Sequence, residues 1–147
     1  MPPEPENWED DEDEFDHFTD AQDAIWDSVM AELQDGRKIS HWMWFVFPVL
    51  EGVGESPTAL FFALRDVQET REYLAHETLG PRLTRCMDLI AAHDDKTAAA
   101  ILGKTDAYKL HNCATLFARA ADDPTPFDRV LEVFFDGKPA QRTLDLL

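Results

Sequence analysis

Apolar side chains recur at intervals of three and four residues between residues 18 and 33, and this spacing constrains the fold more than any other feature. The positions are Phe18, Ala21, Ile25, Val29 and Leu33. Acidic residues fall between them, so one face of the segment is apolar and the other is charged. This pattern predicts an amphipathic helix. Thr19 and Gln22 are spaced as a capping box at its start, and Gly36 is placed for a left-handed cap at its end.

Proline, glycine and capping residues divide the rest of the chain into further helices. Ser56 before Pro57 predicts a helix over 58–65, and Asp66 with Glu69 predicts a capping box for a helix that ends near residue 74. Later helices are predicted from Pro81 onward, at 97–102, at 106–120 with Asp106 as cap, at 126–135 after Thr125, and in a last turn after Pro139. No segment alternates polar and apolar residues like a strand. The sequence therefore predicts an all-α fold, a single irregular multihelical bundle of seven or eight helices.

Residues 1–14 differ in composition from the rest of the chain. They carry eight acidic residues and no basic residue. A segment of this kind cannot bury enough apolar surface to repay the cost of ordering it. We therefore expect 1–14 to be a disordered acidic tail, with Trp8 as its only anchor. Residues 15–147 are expected to form one all-helical domain, because a chain of this length supports one sizeable core.

The charge and the apolar runs limit the partners of the chain. The net charge is −17, and residues 15–147 still carry 22 acidic against 13 basic residues. Because nucleic-acid backbones need a basic face, no nucleic-acid partner is expected. The longest apolar run, 42–50, is about half of the roughly 20 residues that a membrane helix needs, so no membrane contact is expected. Two cysteines without the spacing of paired ligands, and the lack of a basic, apolar leader, indicate a cytoplasmic protein.

No catalytic motif stands out in the sequence. The histidines at 17, 41, 76, 93 and 111 share no helix face, so no metal site is predicted. Cys113 lies in a predicted buried helix, where a lone cysteine usually behaves as a small hydrophobic residue. There is no glycine-rich phosphate loop, and no particular cofactor is implied.

The stretch GRKISHWMWFVFPVLEG, residues 36–52, is the strongest candidate for a site. Ser40 is placed to cap a short helix over 41–47, although a run this short and apolar is also typical of a buried strand. The first amides of such a helix would lie beside Arg37, Lys38 and His41, where they would attract an anion.

A structural explanation competes with this site. Arg37 and Lys38 follow a predicted helix, and cations there complement the negative end of the helix dipole. Trp42 and Trp44 can stack on a planar ring of a ligand, but tryptophans in an apolar run more often belong to a core. The two explanations stay open on these residues alone.

The string from Gly36 to Pro48 resembles the signature of the domain of unknown function 1810 family of small bacterial proteins. Three further segments carry the likeness: AQD at 21–23, HETLGPRL at 76–83 and DAYKLHNCATLFARA at 106–120. The resemblance covers the chain from about residue 15 to the C-terminus. It implies an all-helical fold, which favours a helix over a strand for 41–47. It implies no established activity and no assigned catalytic residues.

Two positions depart from the family pattern. Val49 stands where the family usually has glutamine, and Asn112 stands where it usually has serine. Asn112 can still donate and accept hydrogen bonds, whereas the side chain of Val49 cannot. The resemblance also draws attention to the polar residues His76 and Arg82 in the second motif.

Two functional hypotheses follow from these residues. In the first, the protein binds a nucleotide-like or phosphorylated small anion where the 41–47 helix meets the 106–120 helix. Arg37, Lys38 and Lys109 would bind the anion, and His41 would carry a proton in any reaction. Trp42 or Trp44 would stack on the ligand, with Ser40 and Asp106 beside them. In the second, the chain is a non-enzymatic interaction module whose acidic surface and tail bind a basic protein partner.

Overall fold

The computed structural model describes residues 14–147, which form ten helices and no strand. They are α1 (Asp16–Asp23), α2 (Trp26–Asp35), α3 (Met43–Val46), α4 (Pro57–Phe62), α5 (Val67–Ala75), α6 (Leu79–Ala91), α7 (Ala98–Leu102), α8 (Lys104–Ala120), α9 (Thr125–Phe135) and α10 (Gln141–Leu146). A single isolated bridge pairs Leu50 with Leu64 in this range. The predicted all-α class is confirmed, with more helices than the seven or eight predicted. The predicted acidic tail lies outside the described residues, apart from Glu14.

The predicted helix over 18–33 is two helices. Ile25, with φ −136°, lies between α1 and α2. Because the apolar spacing continues across this turn, the sequence pattern did not reveal the break. The capping box of Thr19 and Gln22 is wrong. Thr19 lies inside α1, and its hydroxyl donates to the Asp16 carbonyl. Gln22 is buried, and its side-chain amide donates to the Phe45 carbonyl and the Tyr73 hydroxyl.

Most other helix boundaries follow the predicted capping chemistry. The Ser56 hydroxyl accepts a hydrogen bond from the Ala59 amide, and the Asp66 carboxylate accepts one from the Glu69 amide. Gly36 ends α2 with φ +74°, a left-handed conformation that favours glycine. Asp106 was predicted as a helix cap, and this is wrong, because α8 begins two residues earlier and the Asp106 carboxylate binds two lysines instead.

The helix α8 is the centre of the molecule. It packs against α3, α5, α7, α9 and α10. Its buried side chains include Leu110, Cys113, Leu116 and Phe117, each fully buried. Burying a side chain such as leucine or phenylalanine contributes roughly 1.5–3 kcal/mol, so this one helix supplies much of the apolar stabilisation. None of the helices in 14–147 is long and apolar enough to cross a membrane.

The HETLGPRL segment joins α5 to α6 through a tight turn. The His76 ring nitrogen Nδ1 accepts hydrogen bonds from the amides of Thr78 and Leu79, which satisfies two donors at the start of α6. Gly80 lies against the Leu74 carbonyl, where a β-carbon would have no room. The histidine and the glycine of this motif therefore have structural roles.

The two departures from the family pattern lie in the core. Val49 is buried, and its carbonyl accepts a hydrogen bond from the Leu64 amide. Asn112 is also buried: its amide donates to the Tyr108 carbonyl, and its Oδ1 accepts from the Thr143 hydroxyl at 2.8 Å. Asn112 thus ties α10 to α8.

Replacing Thr143 with valine should destabilise the fold by roughly 1–3 kcal/mol, because the Asn112 oxygen would be left buried without its donor. Urea denaturation measures this loss. The matched control is Thr105→Val, an exposed threonine near the start of α8, which should stay within about 0.5 kcal/mol of the unaltered protein. Equal stability of the Thr143→Val protein and the control would contradict this role.

Candidate functional site

The carboxylate of Glu32, near the end of α2, organises the loop that follows it. Glu32 Oε1 accepts hydrogen bonds from the amides of Ile39 and Ser40, at 2.8 and 2.9 Å, and from the Trp42 indole at 2.9 Å. Glu32 Oε2 accepts one from the Ser40 hydroxyl at 2.7 Å. The Lys38 amide donates to the Ile101 carbonyl, so the loop is also fastened to α7. These bonds fix the chain between α2 and α3.

These contacts set the ionisation of Glu32. Its burial raises the pKa, but the hydrogen bonds from Ser40, Ile39 and Trp42 outweigh burial and lower the pKa from 4.5 to about 2. Glu32 is therefore an anion at neutral pH, and it accepts every hydrogen bond it makes in this loop.

The helix predicted over 41–47 is shorter than expected. It covers only Met43–Val46, and the residue before it, Trp42, makes no side-chain cap. Ser40 does not cap it, because the Ser40 hydroxyl is bound to Glu32. One helical turn is too short to attract an anion through its dipole, so the cationic side chains carry the electrostatics of this region.

Lys38 and Lys109 meet on one carboxylate. Lys38 Nζ lies 2.8 Å from Asp106 Oδ2, and Lys109 Nζ lies 2.9 Å from Asp106 Oδ1. The side chains are only 7%, 15% and 17% exposed for Lys38, Lys109 and Asp106, respectively. Two partly buried ammonium groups thus share a single anion, which leaves one surplus positive charge.

Each of these lysines also covers a tryptophan ring. Lys38 Nζ lies 5.1 Å from the ring centre of Trp42, and Lys109 Nζ lies 4.1 Å from that of Trp44. Both distances are within the range of cation–π attraction. Trp42 is 1% exposed, so its ring belongs to the core. Trp44 is half-buried, which makes it the tryptophan that can present a ring to a ligand.

These groups border a cavity of about 300 Å³. Its lining consists of Lys38, His41, Trp42, Met43, Trp44, Phe45, Ser56, Thr58, Asp106 and Lys109. His41 is exposed at this cavity. Arg37 is also exposed and lies outside the lining. Ser40 lies outside the lining as well, and its hydroxyl is bound to Glu32. Among the predicted site residues, the structure therefore brings Lys38, His41, Trp42, Trp44, Asp106 and Lys109 together at the cavity, with the Trp42 ring buried.

A second polar cluster supports the cavity from behind. Arg82 donates to Gln22 Oε1 at 3.2 Å and to Asp23 Oδ1 at 2.8 Å, and its guanidinium lies 4.7 Å from the Trp26 ring centre. Gln22 Nε2 in turn donates to the Phe45 carbonyl at 2.7 Å. Because Phe45 lines the cavity, this cluster connects the AQD and HETLGPRL motifs to its wall. Arg82 itself lies outside the lining.

Five residues of this region were not predicted as site residues from the sequence: Glu32, Met43, Phe45, Ser56 and Thr58. Glu32 looked like one more surface acid on an acidic helix, and Ser56 had a sufficient explanation as a helix cap. Met43 and Phe45 lie in the string that resembles the family signature, but their apolar side chains did not point to a ligand site. Thr58 had no signal, because only the packing of α4 beside α3 places it at the cavity.

No metal centre is found among residues 14–147, where no three His, Cys, Asp or Glu side chains converge. The histidines His93 and His111 bind the backbone carbonyls of Leu33 and Lys138. Burial raises the pKa of Cys86 to about 12 and raises that of Cys113 as well, so neither thiol is a nucleophile at neutral pH.

Replacing Glu32 with glutamine should lower the free energy of unfolding at pH 7 by about 2 kcal/mol, because charge-assisted hydrogen bonds are lost. The pKa of Glu32 is lower in the folded protein than in the unfolded chain. Its contribution is therefore fully present above pH 4.5 and is lost as the pH falls toward about 2. Urea denaturation across this range should show the difference in unfolding free energy between the two proteins shrinking as the pH falls.

Glu77→Gln, an exposed control, should show no such difference from the unaltered protein. A difference that does not change with pH would contradict this assignment.

Comparison with known proteins agrees with the architecture. The family model described as a protein of unknown function (DUF1810) matches residues 12–147. The crystal structure of Rv1873, a conserved hypothetical protein from Mycobacterium tuberculosis, shares 41% identity over 90% of this chain and 95% of that chain, with a TM-score of 0.89. No curated protein matches the chain significantly. The chain belongs to the DUF1810 family.

Proposed function

We propose that the protein binds a small phosphorylated, nucleotide-like anion in the cavity between α3, α4 and α8. The observation that carries this proposal is the pair of ammonium groups, Lys38 and Lys109, that share one carboxylate at the cavity. They leave one surplus positive charge in a chain whose net charge is −17. A phosphate group is attracted by such a local excess of lysine charge.

The burial of these charges supports a ligand role. Removing charged groups from water costs several kcal/mol each, and apolar side chains of similar volume often stabilise a fold as well or better. Lys38, Asp106 and Lys109 are nevertheless held beside a cavity, where two aromatic rings keep the ammonium groups in place. When an anion binds, its attraction to the preorganised cationic pair offsets the hydration that the two ammonium groups lost on burial.

The remaining lining residues complete the proposed site. Trp44 and Phe45 supply apolar surface for a planar or sugar ring, and Ser56 and Thr58 line the cavity at the start of α4. His41 is the proton carrier in any reaction at this cavity. In this arrangement Arg37 acts on the anion only through its long-range charge, because it lies outside the lining.

The binding test is calorimetric titration with inorganic phosphate, nucleotides, ADP-ribose and sugar phosphates. For the tightest anion, Lys109→Gln should weaken binding roughly 10- to 100-fold, as expected for loss of a hydrogen bond to a charged group. The matched control is Lys104→Gln, an exposed lysine on the same helix, which should change the affinity less than twofold. Arg37→Gln should change it less than threefold.

Two results would contradict the proposal. One is that no anion of the series binds to the unaltered protein. The other is that Lys104→Gln weakens binding as much as Lys109→Gln, since the effect would then reflect overall charge and not the cavity. The role of His41 has its own test: phosphorus NMR should show any conversion of the bound ligand lost in His41→Gln while its affinity is kept.

A further inference from the structure

Asp106 has hydrogen-bonding capacity that its two lysines do not use. Lys38 binds one of its oxygens and Lys109 binds the other. An ionised carboxylate offers about four acceptor positions and no donor. About two positions therefore remain on a side chain that lines the cavity and is 17% exposed.

The charge state of Asp106 decides what these positions can bind. Burial raises its pKa, but the hydrogen bonds and charges of Lys38 and Lys109 outweigh burial and hold the pKa below its usual 3.8. Asp106 is therefore anionic at neutral pH. It repels a phosphate that comes too close, but it accepts hydrogen bonds from hydroxyl groups.

The other walls of the cavity suit the same kind of ligand. Ser56 and Thr58 line it at the start of α4, and Trp44 and Phe45 give it an apolar surface. The volume of about 300 Å³ is at the lower end for ligand cavities. One sugar ring with a phosphate is closer to this volume than a dinucleotide.

We infer that the ligand is a hydroxyl-bearing phosphate monoester, such as a pentose phosphate or a mononucleotide, whose hydroxyl donates to Asp106 while its phosphate binds Lys38 and Lys109. This inference rests on the proposed function and adds to it the class of ligand and the residue that selects it. Asp106 has two roles in this site: it holds the lysines, and it recognises the sugar.

A matched pair of ligands tests the selection on the unaltered protein. Ribose 5-phosphate carries ring hydroxyls, and tetrahydrofurfuryl phosphate has the same ring and phosphate without them. A hydrogen bond to a charged acceptor predicts that the hydroxyl-free compound binds roughly 10- to 100-fold more weakly. Inorganic phosphate, measured in the same buffer, reports the contribution of the two lysines alone.

A matched pair of variants assigns the selection to Asp106. Asp106→Asn should reduce the preference for ribose 5-phosphate to roughly two- to tenfold, because the asparagine oxygen still accepts a hydrogen bond but carries no charge. Inorganic phosphate should bind as well as before or more tightly, because a competing negative charge is gone. The control is Asp128→Asn, an exposed aspartate in the first turn of α9, which should keep the full preference. Circular dichroism verifies that each variant is folded.

The possible outcomes separate this inference from the proposed function. Equal binding of the two phosphates by the unaltered protein overturns the inference and leaves the anion site standing. A folded Asp106→Asn protein that keeps the preference also overturns it. If these three compounds and every nucleotide and sugar phosphate of the titration series fail to bind, the proposed function is overturned together with the inference. If Asp106→Asn does not fold, a crystal structure with ribose 5-phosphate decides: a sugar hydroxyl within hydrogen-bonding distance of Asp106 is expected, and hydroxyls that point elsewhere contradict the inference.

Discussion

The buried carboxylate of Glu32 is the interaction on which the arrangement of the site depends. It collects four hydrogen bonds from a loop that contains no regular structure of its own. Without this anion, the amides of Ile39 and Ser40 and the Trp42 indole would lack partners in a partly buried setting. Once the loop is fixed, the Lys38 side chain is directed onto Asp106 and over the Trp42 ring.

The family motifs are far apart in the sequence but lie close together in the fold. Some support the wall of the cavity, and others line it. The AQD and HETLGPRL motifs join through Arg82 and brace the wall of the cavity through the Phe45 carbonyl. The HETLGPRL motif also places Gly80, at the start of α6, against the Leu74 carbonyl, where a β-carbon has no room. The signature loop and the start of α8 supply the charged and aromatic groups at the cavity itself. Most of the shared residues are thus scaffold, and a smaller set can contact a ligand.

The sequence predicted the helices well where local chemistry decides them. Ser56, Asp66 and Gly36 cap helices because their side chain or backbone freedom acts within four residues. Several of the errors occurred where a partner elsewhere in the fold binds the same group. Gln22, Ser40 and Asp106 each suit a cap, but each is bound to residues elsewhere in the chain instead. Short polar side chains form whichever bond the packed structure offers, and no local pattern reveals it.

The sequence by itself determined the helical class and most helix boundaries, because apolar spacing and capping act over a few residues. It also placed Lys38, His41, Trp44, Asp106 and Lys109 among the candidates. Only the tertiary structure showed that the Trp42 ring is buried in the core whereas the Trp44 ring is half-buried. Only the tertiary structure showed that Arg37 is exposed and lies outside the cavity lining. That separation depends on Glu32 and on the packing of α3 and α4 against one another and of α3 against α8, contacts between residues far apart in the chain.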